Sequence, residues 1–169
     1  MVERAQRGEA EAMGELIEVF SSRIFAFFYS RNANRAFAED LVQETFLKAW
    51  ERISQLRDVS KFLPWLYSIA RNCFRDAISG KYKTLPLEES LYAGKEDPVE
   101  AVEQEEEIQK LERLLRKLPE EFWMPLWLKE WENMTYEEIS ASLNVPVGTV
   151  RSRIARARKK LLLMWEAEK

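Results

Sequence analysis

A cluster of positive side chains lies between Val145 and Leu161, in the sequence VPVGTVRSRIARARKKL. It contains six basic residues and no acidic one, although the whole chain carries a formal net charge of −3. Arginine and lysine at this density bind phosphate groups, and arginine also donates paired hydrogen bonds to base edges in the major groove of DNA. The stretch therefore predicts nucleic-acid binding, provided that its basic side chains share one surface.

Helical periodicity gives this stretch two faces. At about 100° per residue, the apolar side chains fall together in one stripe. The stripe consists of Val147, Val150, Ile154, Ala157 and Leu161. The opposite side carries Ser152, Ala155, Arg156 and Lys159, with Arg151 on its flank. The pattern predicts a helix that packs through its stripe and presents a basic face, which is either a DNA-reading surface or a merely solvated one.

A second helix is predicted immediately before this one, in TYEEISASL. Thr135 can cap the helix together with Glu138, and Met134 can pack against Ile139. Asn144 suits a left-handed C-terminal turn, and Pro146 suits the first turn of the next helix. Two helices joined by so short a turn form a helix-turn-helix, which favours the DNA-reading interpretation.

The distribution of charge divides the chain. Residues 88–107 contain nine acidic residues and one basic residue, whereas residues 61–83 contain five basic residues and one acidic residue. Glycine and proline punctuate the acidic part, and elsewhere the pattern is helical. We predict an all-α protein with two small helical domains, residues 1–80 and 106–169, joined by an acidic linker at 81–105.

Few residues could support catalysis. The chain has no histidine, a single cysteine, and five glycines that form no phosphate-binding loop. We therefore expect a protein without enzymatic activity, cofactor or metal, in which Cys73 packs in a core. No apolar run approaches the roughly 20 residues that span a bilayer, which predicts a cytoplasmic protein without membrane insertion.

Three motifs together resemble a known family. DLVQETFLKAW, WLYSIARN and PVGTVRSRI occur in this order, with the acidic segment before the last. Nearly the whole chain is similar to the extracytoplasmic-function (ECF) sigma factors of bacterial RNA polymerase. The resemblance implies two helical domains, with core RNA polymerase and promoter DNA as partners. It also suggests an anti-sigma protein as a further partner.

The first motif predicts a protein-binding helix. Its inward face is predicted to contain Leu41, Val42, Thr45, Phe46, Ala49 and Ile53. On the outward face Leu47 lies among acidic and amide side chains, as in a protein-binding patch, although a lone exposed leucine is also ordinary. The resemblance implies contact with the clamp helices of the polymerase beta-prime subunit, beside further contacts with the beta subunit. The implied clamp-contact residues are Asp40, Gln43, Glu44 and Leu47.

The second motif predicts a helix with a buried stripe and a mixed aromatic and basic side. The stripe comprises Phe62, Leu66, Ile69, Ala70, Cys73 and Ala77. Rings beside cations and amides suit single-stranded DNA, but such rings can equally belong to the core. The resemblance implies that this helix and the preceding loop SQLRDVSKF melt the minus-ten element and hold a flipped base. The candidate residues are Lys61, Trp65, Tyr67, Ser68, Arg71, Asn72 and Arg75.

The third motif gives the minus-thirty-five candidates. From helix geometry and the resemblance, we expect Arg151, Ser152 and Arg156 to face base edges. We expect Arg153, Arg158 and Lys160 to lie at the sides of the helix. The full candidate set is Thr149, Arg151, Ser152, Ala155, Arg156 and Lys159. Ala155 is too short to reach far and should contribute shape.

The tryptophans at 123, 127 and 131 are predicted to lie in the core of the C-terminal domain, with Trp123 the most exposed. Pro125 should kink their helix or mark its start.

These observations predict a sigma factor that binds core polymerase, recognises minus-thirty-five and minus-ten elements and helps to melt DNA. Two alternatives remain open at this stage. A free-standing helix-turn-helix regulator would bind DNA without binding polymerase. A helical adaptor would bind only protein, without the salt dependence of phosphate contacts.

Overall fold

The computed structural model describes residues 1–81 and 103–168, which contain α-helices and short 3-10 and π turns but no strand. The predicted all-α class is confirmed. The chain divides into two compact units, Met1–Gly94 and Lys95–Lys169. The predicted linker falls mainly on residues 82–102, outside the described residues. The boundaries at 80 and 106 therefore stay predictions.

Residues 1–81 form a helical unit with a short N-terminal helix. Its α-helices are α1 (Val2–Gln6), α2 (Ala10–Asn32), α3 (Arg35–Arg52) and α4 (Phe62–Asp76). Two 3-10 turns, Ile53–Gln55 and Val59–Lys61, join α3 to α4, and a π turn at Ala77–Lys81 follows α4.

The turn between α2 and α3 is short because each helix end is satisfied locally. Ala33 ends α2 in the left-handed region, with φ of 51°, and its amide donates to Tyr29 O at 2.8 Å. The side chain of Asn34 then caps α3 by accepting a hydrogen bond from the amide of Phe37 at 3.0 Å. The two long helices consequently pack against each other.

Aromatic and aliphatic side chains from α2, α3 and α4 form the core of this unit. The Phe27 ring of α2 meets the Tyr67 ring of α4 edge-on, with centroids 5.3 Å apart. The predicted stripe is confirmed, since all six of its residues are buried, five of them on α4 and Ala77 in the π turn that follows. Val42, predicted to face inward from α3, is only half-buried. Cys73 packs in the core as predicted, and burial raises the pKa of its thiol.

Residues 103–168 form the second unit. Its helices are α5 (Glu103–Lys117), α6 (Glu120–Glu130), α7 (Tyr136–Leu143) and α8 (Val147–Ala167). Leu114, Trp123, Ile139 and Ile154 contribute one fully buried side chain each from the four helices. The last helix contacts the other three, so the buried side of α8 is central to this core.

The expected order of tryptophan exposure is wrong. Trp123 is fully buried and Trp127 is 6% exposed, whereas Trp131 is 44% exposed. Trp131 follows the last residue of α6, and its ring stacks on that of Trp127 with the ring centroids 4.7 Å apart. Pro125 does not mark the helix start, because α6 begins at Glu120 and continues through the proline.

Candidate nucleic-acid and protein interfaces

The helix-turn-helix begins with a complete capping box. Thr135 Oγ1 accepts a hydrogen bond from the Glu138 amide at 3.1 Å, and Glu138 Oε2 accepts one from the Thr135 amide at 2.8 Å. The predicted cap is confirmed. It satisfies two amides at the end of the helix that would otherwise lack partners.

The turn between α7 and α8 has the predicted conformation. Asn144 lies in the left-handed region with φ of 52°, and the Val145 amide donates to Ser140 O at 3.2 Å. Pro146 is the residue before the first turn of α8, one position earlier than predicted. Three residues therefore separate the end of α7 from the start of α8.

The faces of α8 agree with the predicted periodicity. Val150, Ile154 and Ala157 are buried, and Val147 and Leu161 at the two ends of the stripe are half-buried. Arg151, Ser152, Ala155, Arg156 and Lys159 are all exposed. Thr149 is half-buried, and its carbonyl accepts a hydrogen bond from Ser152 Oγ at 3.0 Å. The minus-thirty-five candidates thus share an exposed surface, with Thr149 at its margin.

Acidic residues of α6 pair with the side arginines of α8. Arg153 lies 3.8 Å from a Glu121 carboxylate oxygen, and Arg158 Nε donates to Glu130 Oε1 at 3.1 Å. The hydrogen bond to Glu130 raises the pKa of Arg158. By contrast, Arg156 and Lys159 form no ion pair within the described part of the chain. The charge that remains for an external partner is therefore concentrated on the outward face.

An aromatic ring orders another arginine of this face. The Arg151 guanidinium lies 5.4 Å from the centroid of Tyr136, and Lys129 Nζ lies 5.0 Å from the same centroid. Lys129 Nζ also donates to Met134 O at 3.2 Å. Sequence analysis did not assign roles to Tyr136 or Lys129, because neither belongs to α8. The capping motif at Thr135 could have indicated that Tyr136 lies at the start of α7.

The outward side of α4 carries most of the minus-ten candidates. Lys61, Asn72 and Arg75 are exposed, while Ser68 and Arg71 are partly exposed. Trp65 is half-buried, with its ring 5.8 Å from that of Phe62. The helix thus presents cationic and amide groups on one side, with an indole at the margin.

Tyr67 does not lie at the edge of this surface, as the sequence predicted. It is 1% exposed and packs against Phe27 of α2. Periodicity along α4 alone predicts an edge position for Tyr67, whereas the Phe27 ring of a neighbouring helix covers it. In this packing the side chain belongs to the core and cannot reach a base.

The candidate protein-binding patch lies on α3. Asp40 and Gln43 are exposed, Glu44 is partly exposed, and Leu47 is 60% exposed. Glu44 pairs with Lys48, whose Nζ lies 2.8 Å from Glu44 Oε1 and 3.3 Å from Asp76 Oδ2 of α4. The hydrogen bond to Glu44 is the main cause that raises the pKa of Lys48 to about 12. Lys48 consequently connects the patch with α4.

An open apolar groove of about 530 Å³ adjoins the patch, between α2 and α3. Its lining includes Met13 and Ile17 of α2 and Phe46, Leu47 and Trp50 of α3. Sequence analysis missed the contribution of α2. The spacing of Met13 and Ile17, one helical turn apart, could have indicated that α2 has an apolar side here.

The loop between α3 and α4 is bound to the N-terminal helix. Gln6 Nε2 donates to Ile53 O at 3.0 Å and to Leu56 O at 2.7 Å. Asp58 Oδ1 accepts hydrogen bonds from the amide and hydroxyl of Ser60. These contacts fix the backbone before Lys61, and sequence analysis did not identify Gln6.

Both units match regions of one protein family. Residues 16–84 match the family described as Sigma-70 region 2, and residues 108–161 match Sigma-70, region 4. The first match contains the patch and α4, and the second contains the helix-turn-helix. Fold and surfaces together define a two-region protein of the sigma-70 class.

Similar proteins narrow the class. The chain is 34% identical to the ECF RNA polymerase sigma-E factor of Haemophilus influenzae, across 95% of this chain and 91% of that protein. It is 35% identical to the protein of the same name from Escherichia coli K12, across 95% and 90%. The chain belongs to the ECF sigma factors, which direct promoter recognition.

Two solved structures share the fold. The sigma factor RpoE of Bartonella quintana, in complex with the anti-sigma factor NepR, aligns with a TM-score of 0.76 at 22% identity, across 94% of this chain and 99% of that chain. CnrH in complex with the cytosolic domain of CnrY aligns with a TM-score of 0.74 at 24% identity, across 99% and 96%. At these identities the likeness concerns the fold alone.

Across residues 1–81 and 103–168, no helix combines the length and apolar character needed to cross a bilayer.

Proposed function

We propose that this chain binds core RNA polymerase and directs it to promoters with minus-thirty-five and minus-ten elements, without a catalytic step of its own. Both regions and the sigma-E relatives support this function. The observation that carries the DNA-binding part is the division of charge on α8. Arg153 and Arg158 pair with acids of their own unit, whereas Arg156 and Lys159 project outward without such partners within the described residues.

The minus-thirty-five element is assigned to α8. Arg151 and Arg156 are proposed to donate to base edges, Ser152 to bind either a base or a phosphate, and Lys159 to bind phosphate. Thr149 lies in the first turn of α8 at the margin of this surface, where it is half-buried and is proposed to contact the DNA backbone. Ala155 leaves room for a base or methyl group between the longer side chains.

The minus-ten element is assigned to the exposed side of α4 and the loop before it. Lys61, Arg71 and Arg75 are proposed to bind phosphates of the non-template strand, and Asn72 to bind an unpaired base. Ser68 and the Trp65 indole border this surface. Tyr67 is excluded from the assignment because it is buried.

The polymerase contact is assigned to Asp40, Gln43, Glu44 and Leu47. An exposed leucine with an acidic and amide rim suits a partner helix that is apolar at its centre and basic at its edge. The groove beside Leu47 extends the apolar part of this surface onto Ile17. An anti-sigma protein stays a predicted partner, and a cytoplasmic location stays a prediction.

Run-off transcription tests the function directly. Core RNA polymerase is assayed with and without this protein on a library of promoters randomised in the two elements. Transcripts that depend on the protein and share both elements are expected. Binding to DNA without binding to core polymerase would indicate a free-standing regulator, whereas polymerase binding without salt-dependent DNA binding would indicate an adaptor.

A further inference from the structure

The N-terminal helix α1 contacts the loop that precedes α4, although residues 1–15 lie outside the region 2 match. The contact depends on one side chain. Gln6 Nε2 donates to two carbonyl oxygens, those of Ile53 and Leu56, which are 47 and 50 residues away in sequence. An amide that donates twice at 2.7–3.0 Å fixes both the position and the direction of the turn that it binds.

Helix α1 is itself held in place, so Gln6 has a fixed base. Arg4 pairs with Glu9 at 2.8 Å and with Glu15 of α2 at 3.0 Å. Ala5 is buried, which places the helix against the rest of the unit. Gln6 therefore transmits the position of α2 to the loop.

The loop presents its polar side chains from this held backbone. Ile53 and Leu56 are buried, whereas Arg57, Asp58, Ser60 and Lys61 are exposed. Asp58 further orders the segment by accepting from the Ser60 amide at 3.0 Å. Since Arg57 directly follows Leu56, the carbonyl held by Gln6 belongs to the same peptide group as the Arg57 amide. The orientation of the exposed segment thus depends on the Gln6 contact.

We propose that Gln6 is a positioning residue for base selection in the minus-ten element, acting through residues 57–61. This inference rests on the proposed function, in which α4 and the loop before it bind the minus-ten element. Gln6 does not touch DNA in this proposal. Its two hydrogen bonds keep the loop in one arrangement, so that one base fits better than the other three.

Gln6→Leu removes both donors and nearly retains the size of the side chain. Gln6→Glu retains the shape but replaces the donors with a carboxylate, which repels the two carbonyl oxygens. The matched control is Glu3→Leu, which introduces the same residue on the exposed side of α1. Each protein is assayed with core polymerase on promoters that differ by single bases in the minus-ten or minus-thirty-five element. Thermal unfolding and hydrogen exchange of the amides at 57–61 are measured in parallel.

We expect both Gln6 variants to lower the discrimination between minus-ten bases about fivefold, the low end of the effect of losing two hydrogen bonds. Discrimination in the minus-thirty-five element should not change, and the amides at 57–61 should exchange faster. Glu3→Leu should behave as wild type. If Gln6→Leu does not fold, Gln6→Glu provides the same comparison.

Unchanged minus-ten discrimination in a folded Gln6 variant would overturn the inference. An equal loss of transcription on every promoter, together with a lower unfolding temperature, would also overturn it, because Gln6 would then serve stability alone. Failure of the wild-type protein to discriminate minus-ten bases would instead refute the proposed function, so the two failures are distinguishable.

Discussion

Arg158 and Glu130 form an ion pair that joins α8 to α6, with Arg158 Nε 3.1 Å from Glu130 Oε1. The pair lies beside the outward face of α8 and neutralises one of its cations. Together with Arg153 and Glu121, it separates the arginines of α8 that pair with acids of their own unit from those that project outward and are proposed to bind DNA. The predictions for α8 depend on this separation.

Arg156→Ala should remove base readout, whereas Lys160→Ala should remove only general attraction. Arg156 is exposed on the outward face, and its loss should cost about 1–3 kcal/mol and relax preference at one base position. Lys160 lies toward the side, 5.6 Å from the Phe122 ring, and its loss should weaken binding to all sequences and reduce the salt slope by about one. Binding to a panel of single-base promoter changes at several salt concentrations measures both. Equal, sequence-independent losses would refute base readout by α8.

Tyr136→Leu should impair recognition by Arg151 without removing charge. The Tyr136 ring holds the guanidinium at 5.4 Å, and a cation–π contact at an exposed site contributes roughly 0.5–1 kcal/mol. We expect weaker preference at the same base position that Arg151→Ala affects, with an unchanged salt slope. Tyr136→Phe retains the ring and is the control. If Phe and Leu at this position behave alike, the ring does not orient Arg151.

Glu44→Lys combined with Leu47→Asp should abolish co-purification with core polymerase. The two changes reverse a charge and remove the apolar centre of the patch, while the buried side of α3 is untouched. Circular dichroism should show the same helix content as wild type. Val19→Asp, at another exposed apolar residue outside the patch and groove, is the matched control and should retain binding. Binding by the double variant would contradict the assignment.

Asn72→Ala should affect DNA melting, whereas Tyr67→Ala should affect the stability of the fold. Asn72 is exposed, so its replacement should slow open-complex formation without changing the unfolding temperature. A template with a pre-opened bubble should relieve much of that loss, since unstacking a base costs only a few kcal/mol. Tyr67 is buried, so its replacement should reduce the free energy of unfolding by about 3 kcal/mol or more. An Asn72→Ala defect that the bubble does not relieve would argue against a role in melting.

Lys48→Met should reduce stability in a pH-dependent manner. The pKa of Lys48 is raised from 10.5 to about 12, so its contribution is present below pH 10.5 and is lost as pH rises toward 12. Because its partners are partly exposed, the difference in unfolding free energy should be no more than about 1 kcal/mol. Urea unfolding from pH 7 to 11 measures it, with Lys159→Met as the control. A constant difference beyond pH 10.5 would contradict the assigned pairing.

The sequence predicts those parts of this protein that depend on residues close in the chain. The α4 stripe follows from periodicity, and the Thr135 cap and Asn144 turn depend on neighbours within five residues. Tyr67 was misplaced because Phe27 covers it, and this ring lies 40 residues earlier.

Contacts between distant segments limit prediction of the candidate sites in the same way. The partners of Gln6 are backbone carbonyls, which carry no signature in the side-chain sequence. Trp131 was misjudged because four-residue spacing predicts a common face but not where the helix ends. The residue types of the α8 surface were predictable, whereas its division into paired and outward arginines required the positions of Glu121 and Glu130.

The short turn at Asn144 limits how the length of this segment can vary. Its left-handed backbone and the following Pro146 leave three residues between α7 and α8. One extra residue within α8 after Val150 would rotate Arg151 and Arg156 by about 100° relative to the start of the stripe. If α8 reads bases as proposed, substitution alters which base is preferred, while insertion or deletion displaces the whole surface. The proposed surface thus tolerates a change of residue type better than a change in the number of residues.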